Sequence, residues 1–312
     1  MKIVILDGFA SNPGDLSWEE IAAQGELTVY ERSTAQEAAE RIGDAEIVFL
    51  NKTPISAETL EKCPNVKMIG ILATGYNIVD TAACKARGIP VCNVPGYSTM
   101  AVAQMTFALL LEMCQQVGQH SRAVFAGQWQ NNADFCFWNT PLTELAGKTF
   151  GIVGYGAIGK AVGEIAKAFG MELLVTARRE KEGHVSLEEL LRRSDIISLH
   201  CPQTADNLQM INAETLAMMK PGAILLNTAR GGLIDEEAVA EALKCGHLAW
   251  YGADVASREP ITADNPLLSA PNCFLSPHIA WAPTQTRQRL HQIAAENLRA
   301  FLAGKPQNVV NP

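Results

Sequence analysis

Residues 148–159 read Lys-Thr-Phe-Gly-Ile-Val-Gly-Tyr-Gly-Ala-Ile-Gly: a short apolar run breaks into three glycines, and a helix-forming segment follows at once. This is a Gly-x-Gly-x-x-Gly turn placed between a strand and a helix, the context that gives it meaning. Gly154 makes the tight turn, Gly156 lets the backbone approach a pyrophosphate, and Gly159 lets helix and strand pack closely. Tyr155, Ala157 and Ile158 complete the cradle, whose N–H groups open the helix and favour an anion. Phe150–Val153 reads as a buried strand, and Ile158, Val162, Ile165, Ala166 and Phe169 recur at helical spacing before Gly170 closes the helix. Glycine triplets also occur by chance in ordinary strand–turn–helix connections, so the flanking elements carry this reading. They point to a bound dinucleotide.

The chain on either side has one rhythm, short strands alternating with helices. In the first hundred residues the strand candidates are Lys2–Leu6, Leu27–Tyr30, Glu46–Leu50, Lys67–Leu72 and Pro90–Cys92, with helical patterns at Thr34–Ile42 and Ile78–Arg87. After the glycine turn they are Glu172–Thr176, Asp195–Leu199, Ala223–Leu226, Trp250–Asp254 and Cys273–Leu275, separated by helices such as Ser186–Arg193 and Asp235–Lys244. Asp235 suits an N-cap, and Glu236 and Glu237 suit the first turn's dipole. Such alternation predicts an α/β protein with two doubly wound parallel-sheet domains and a cleft between them. Tyr97–Gln116 reads as one long apolar helix joining them, and the final helix, Thr284–Leu302, is long enough to return to the first. The expected division is 1–97 plus 285–312 for a substrate-binding domain and 98–284 for the dinucleotide-binding domain.

Composition narrows the function classes. A chain of 312 residues with 48% hydrophobic content can fill two cores. Its net charge of −8 argues against nucleic acid and anionic membranes as partners. No apolar stretch reaches the length of a membrane span, and Asp7 interrupts the apolar start too early for a signal-peptide core. The eight cysteines are scattered without any Cys-x-x-Cys, which reads as reduced thiols in the cytoplasm. No metal-ligand spacing stands out; His200-Cys201 is an isolated pair, read as structural.

Past the glycine turn, three polar residues follow strand carboxyl ends, where doubly wound sheets place their sites. Arg230 stands in Asn227-Thr228-Ala229-Arg230-Gly231-Gly232, Glu259 in Ser257-Arg258-Glu259-Pro260, and His278 in Ser276-Pro277-His278-Ile279-Ala280-Trp281. Arg230 offers a planar fork to a carboxylate or 2-keto acid, and the two glycines after it leave room for a substrate. His278 can exchange a proton near neutral pH, and a neighbouring carboxylate such as Glu259 favours its protonated form and fixes its tautomer. That is the apparatus for reducing a ketone, with hydride arriving at carbon and a proton at oxygen. Each residue alone has a plainer reading, as a surface ion pair, a solvated loop acid or a satisfied histidine. The ordered trio downstream of a dinucleotide turn is what gives them weight.

These segments together resemble the D-isomer-specific 2-hydroxyacid dehydrogenases over nearly the full chain, and most closely their glycerate dehydrogenase/hydroxypyruvate reductase branch. The matching stretches include Asn12-Pro13-Gly14-Asp15-Leu16-Ser17-Trp18, Ala73-Thr74-Gly75-Tyr76-Asn77, Phe137-Trp138-Asn139 and Pro277-His278-Ile279-Ala280-Trp281-Ala282. The resemblance implies a flavodoxin-like substrate domain, a Rossmann cofactor domain, and Arg230, Glu259 and His278 as catalytic residues. It implies that Ala73, Thr74 and Gly75, with Arg230 and His278, hold the substrate. It places Cys201, Pro202, Thr228, Ala229 and Thr106 beside the cofactor, although Thr106 reads equally as a helix-face hydroxyl, and gives Asp254 the nicotinamide carboxamide. It further implies a homodimer, for which the apolar Met100–Cys114 helix and the 119–140 excursion, with Phe125, Trp129, Phe135 and Trp138, offer a contact surface. The same aromatics suit a cover over the chain's own cleft, and Trp138 and Trp281 suit either a pocket wall or a core.

One departure bears on the cofactor. NAD enzymes carry an acid at the end of the second Rossmann strand to hold the ribose 2′-hydroxyl. Here Glu172–Thr176 runs into Ala177-Arg178-Arg179, so no carboxylate repels a 2′-phosphate and two guanidinium groups can bind it; the sequence leans to NADP over NAD. Arg178 and Arg179 read alternatively as solvated surface charges. The expected activity is reversible reduction of hydroxypyruvate or glyoxylate to D-glycerate or glycolate. The alternatives are a phosphoglycerate or other D-2-hydroxyacid dehydrogenase, or a dinucleotide-sensing, corepressor-like binding protein on the same fold.

Overall fold

A computed structural model of the chain describes residues 1–178 and 182–312. It divides into two compact units, Met1–Ser98 with Trp281–Pro312, and Thr99–Ala280. Ser98, and Trp281 with the three residues after it, thus go with the first unit, where the Trp281 side chain packs against the core.

The first unit runs β1 (Lys2–Ile5), α1 (Glu19–Ala22), β2 (Glu26–Val29), α2 (Ala35–Ile42), β3 (Ile47–Leu50), α3 (Ala57–Lys62), β4 (Met68–Ile71), α4 (Thr81–Ala86) and β5 (Val91–Cys92). Its sheet has the order β2-β1-β3-β4-β5 with every pair parallel, the flavodoxin-like order. A parallel sheet is covered on both faces, which is why β3 and β4 are unbroken apolar runs and buried at every position. The edge strand β2 mixes polar and apolar residues and stays mostly exposed. Ala38 and Ile42 of α2, Leu60 of α3 and Cys84 of α4 fill one face of the sheet. Ile21 of α1, with Leu290, Ala294 and Leu298 of the last helix, fills the other. Between β1 and β3, where the strand order reverses, the chain supplies its own anion: the Asp7 carboxylate accepts the N–H groups of Asn51, Lys52 and Thr53 at 2.6, 2.5 and 2.8 Å.

The second unit holds α5 (Thr99–Gln115), α6 (Val117–Phe125), β6 (Thr149–Val153), α7 (Ala157–Ala168), β7 (Glu172–Thr176), α8 (Leu187–Arg193), β8 (Ile196–Leu199), α9 (Ala213–Ala217), β9 (Ala223–Asn227), α10 (Glu236–Lys244), β10 (Leu248–Ala253) and β11 (Cys273–Leu275); α11 (Thr284–Leu302) returns to the first unit. Its sheet order is β11-β10-β9-β8-β6-β7, again all parallel. A full Rossmann order carries one more strand outside the second. Here only Val185 N–H reaches Val175 O, at 2.9 Å, before Ser186 caps α8, so among the described residues no strand stands there. Phe150 and Ile152 of β6 pack with Phe107 and Leu110 of α5 and Val162 and Ala166 of α7. Leu190, Leu216, Val239 and Leu243 from α8, α9 and α10 fill the other face.

The helix expected to run to Gln116 stops at Gln115. Gln116 is buried in the left-handed region at φ 46°, and the chain restarts there as α6. No helix among the described residues is long and apolar enough to cross a membrane.

Candidate active site

Topology puts the crevice of the second sheet between the carboxyl ends of β6 and β8, where successive strands diverge. The glycine turn lies there, and each glycine has a separate physical reason. Gly154 has φ 97°, and a Cβ on it would stand 2.6 Å from the Cys201 nitrogen, against the end of β8. A Cβ on Gly156 would meet nothing within 4 Å, so that position borders open space. Gly156 is also the N-cap of α7 and supplies no side chain to the helix's first N–H groups. An open approach to an uncapped helix N-terminus fits a pyrophosphate. A Cβ on Gly159 would lie 2.1 Å from Gly154 O, which is how closely α7 sits on the turn. Gly159→Ala is expected to push α7 off β6 and weaken nicotinamide binding about tenfold or more, read by fluorescence titration of the reduced nucleotide; unchanged affinity would contradict this packing role.

Around the turn, the other expected cofactor contacts divide. Tyr155, Cys201, Pro202, Thr228 and Ala229 lie in the loops that follow β6, β8 and β9, and Ala157 and Ile158 open α7. The Thr106 hydroxyl is fully buried, donates to Val102 O and meets the Thr228 hydroxyl at 2.9 Å, so it braces Thr228 from α5. His200 is half-buried; desolvation of its imidazole pushes the pKa down to about 4, and Nε2 lies 2.8 Å from Ser198 Oγ. Arg178 is exposed just beyond β7, and Arg179 lies outside the described residues.

Of the proton-handling groups, Glu259 and His278 meet. His278 Nδ1 lies 2.7 Å from Glu259 Oε2, with the side chains 29% and 39% exposed. A carboxylate on Nδ1 selects the tautomer with its proton there and leaves Nε2 to face a reacting group. His278 has φ 56°, a left-handed conformation that costs a residue with a side chain about 1–3 kcal/mol. Asp254, 1% exposed, holds it: Ser276 Oγ, Ile279 N and Ala280 N donate to its carboxylate at 2.6, 2.9 and 2.7 Å. Both oxygens of Asp254, assigned by resemblance to a carboxamide, are therefore engaged by the histidine loop.

Arg230 is exposed at the end of the turn after β9, its Nη1 donating to Ala229 O at 2.6 Å. Asn227 shapes this turn, accepting from Ala229 N at 3.1 Å and donating to Arg230 O at 2.9 Å. The glycines after Arg230 do not leave room for a substrate as expected. A Cβ on Gly231 would fall 1.9 Å from Ala256 C and 2.3 Å from Ser257 N, and one on Gly232 would fall 2.6 Å from Gln203 Oε1. Gly231 instead lets the arginine turn lie directly against the loop that carries Glu259. This junction was hidden in the sequence, because a glycine signals close approach without naming what approaches.

In the first unit, Ala73–Gly75 follow the carboxyl end of β4. Val94 N donates to Ala73 O at 3.0 Å, Asn93 Nδ2 to Thr74 O at 2.7 Å, and the Thr74 hydroxyl to Val94 O at 2.9 Å, so the loop is pinned from one side.

Residues 107–280 match the family described as D-isomer specific 2-hydroxyacid dehydrogenase, NAD binding domain. Over 321 residues the chain is 50% identical to a hydroxypyruvate reductase of Blautia hydrogenotrophica, covering 100% of both. It is 41% identical to a glycerate dehydrogenase of Methylorubrum extorquens, covering 99% of this chain and 98% of that one. A solved acyclic imino acid reductase in complex with NADPH and D-Arg superposes with a TM-score of 0.87 at 33% identity, covering 99% of this chain and 100% of that chain.

Proposed function

The chain belongs to the D-isomer-specific 2-hydroxyacid dehydrogenase family, and we propose that within it the protein reduces hydroxypyruvate, and glyoxylate beside it, reversibly to D-glycerate and glycolate. The observation that carries the chemistry is the 2.7 Å contact between His278 Nδ1 and Glu259 on a loop packed against the arginine turn. Similarity over the whole chain to a hydroxypyruvate reductase and a glycerate dehydrogenase supports this substrate class. A nicotinamide dinucleotide, its pyrophosphate at Gly154–Gly159, would supply the hydride when bound. Arg230 binds the carboxylate and polarises the keto oxygen; His278 donates its Nε2 proton to that oxygen, and Glu259 holds the imidazole in place. The N–H groups about Thr74 and Gly75 suit a carboxylate. Initial rates with hydroxypyruvate, glyoxylate, 3-phosphohydroxypyruvate and pyruvate test the reading. Hydroxypyruvate is expected to be turned over fastest, and preference for the phosphorylated acid would favour a phosphoglycerate dehydrogenase.

NADPH is the preferred cofactor in this reading, because Arg178 and Arg179 follow β7 with no carboxylate between them and the strand. Arg178→Ala is expected to raise KM for NADPH about tenfold while leaving KM for NADH nearly unchanged; equal effects on both cofactors would contradict the preference.

The protein works as a homodimer in the cytoplasm. Phe125 is 90% exposed and Phe135 89%, while Trp129 and Trp138 are also exposed. The segment presenting them is well braced, with Trp129 Nε1 donating to Phe135 O at 2.8 Å and the Gln128 and Asn139 amides paired. A braced loop that turns aromatics outward suits a partner surface. All eight cysteines are free, and burial pushes the thiols of Cys84, Cys92 and Cys114 up to about 11, which keeps them from reacting as thiolates.

A further inference from the structure

Glu236 stands in the first turn of α10, where an acid ordinarily answers the helix dipole. Capping is done by its neighbour: Asp235 Oδ1 accepts the N–H groups of Glu237 and Ala238 at 3.0 and 3.1 Å. The Glu236 carboxylate turns instead to the loop after β10. Its Oε1 accepts Ser257 N–H at 2.8 Å, and its Oε2 accepts the Ser257 hydroxyl at 2.6 Å and Asn265 Nδ2 at 2.8 Å. Asn265 is itself fixed, because its Oδ1 accepts Leu267 N at 3.0 Å.

These three bonds tie an exposed stretch of backbone to α10. Ser257, Arg258, Glu259, Pro260 and Ile261 are all exposed, so apolar burial does not set their position. The residue before Ser257 makes the link to the chemistry. Ala256 N–H donates to Glu259 Oε1 at 3.2 Å, and the other oxygen of that carboxylate faces His278 Nδ1 at 2.7 Å. Gly231 closes on Ala256 and Ser257 from the other side. One carboxylate with three donors thus fixes the backbone that sets the rotation of the next carboxylate.

We propose that Glu236 is a positioning residue for the reaction: through Ser257 and Ala256 it holds Glu259 so that one carboxylate oxygen meets His278. The proposal rests on reading Glu259 and His278 as the acid–base pair. It predicts a loss confined to the chemical step, since the hydrogen bonds of the Glu236 carboxylate go to Ser257 and Asn265.

The test is a double-mutant cycle on the full-length protein with hydroxypyruvate and a reduced nicotinamide. Glu236→Gln should lower kcat about tenfold with KM changed less than about twofold, the usual scale for a group that orients a reacting one. In a Glu259→Gln background the same substitution should do almost nothing further, because its target is already gone. Ser257→Ala, at an exposed position that leaves the core untouched, should lower kcat about threefold and fall equally silent in that background. Wild-type kcat in Glu236→Gln and Ser257→Ala, or losses that multiply with Glu259→Gln, would overturn the proposal; if Glu236→Gln fails to fold, the Ser257→Ala cycle decides. Wild-type protein without turnover overturns the reading beneath it, and the proposal with it.

Discussion

Replacing His278 with alanine is expected to lower kcat for hydroxypyruvate reduction about a thousandfold while nicotinamide affinity stays within about threefold of wild type. The proposed reduction needs a proton at the nascent alkoxide, and His278 is the donor proposed for it, its ring held by Glu259 at Nδ1 and its loop by Asp254 through Ile279 and Ala280. In the proposed site the cofactor's pyrophosphate is bound by the Gly154–Gly159 turn, which His278→Ala leaves unaltered, so loss of the proton donor is expected to spare affinity. A His278→Ala protein with turnover near wild type would remove the proton donor from the account.

Gly231→Ala is expected to lower kcat/KM about a hundredfold, an effect out of scale with adding one methyl group. Its φ is not the reason. The added carbon would sit 1.9–2.3 Å from the backbone of Ala256 and Ser257, and neither backbone can yield without moving what it carries. On one side that is Arg230, and on the other Glu259. Separation of the two loops by roughly an ångström removes a geometry on which both substrate binding and proton transfer depend. Nicotinamide titration of the same protein should remain close to wild type. Wild-type kcat/KM would mean that the two loops are not required to lie so close.

The parts of the fold that local chemistry determines were readable in the chain. The three glycines keep the separate roles assigned to them, one turning, one opening space and one allowing close packing. Asp235 caps its helix, and β7, β11 and α11 have the bounds their patterns give. Short helices such as α1, α3 and α9 were not legible, because four to six residues are too few to show helical periodicity. The break at Gln116 was hidden for another reason, since neither Gln116 nor Val117 is a residue that normally stops a helix.

At the site, residue type and position after a strand singled out Arg230, Glu259 and His278. What could not be read was their support. Asp254 gripping the His278 loop, Glu236 gripping Ser257, and Gly231 backed by Ala256 each join segments about 20–25 residues apart in sequence. Such contacts follow from the strand order of the parallel sheet, which brings successive loops together at one end, and no local pattern announces them. The left-handed backbone of His278 belongs here too, because a histidine adopts it only when surrounding bonds hold it.

The central claim is that these loops form a working 2-keto acid reductase. Its most direct test is to incubate the purified protein with hydroxypyruvate and NADPH, follow loss of the nicotinamide absorbance, and resolve the enantiomers of the product. Keto-acid-dependent oxidation yielding D-glycerate is the predicted result. Tight nicotinamide binding with no oxidation, or glycerate of the opposite hand, would contradict it.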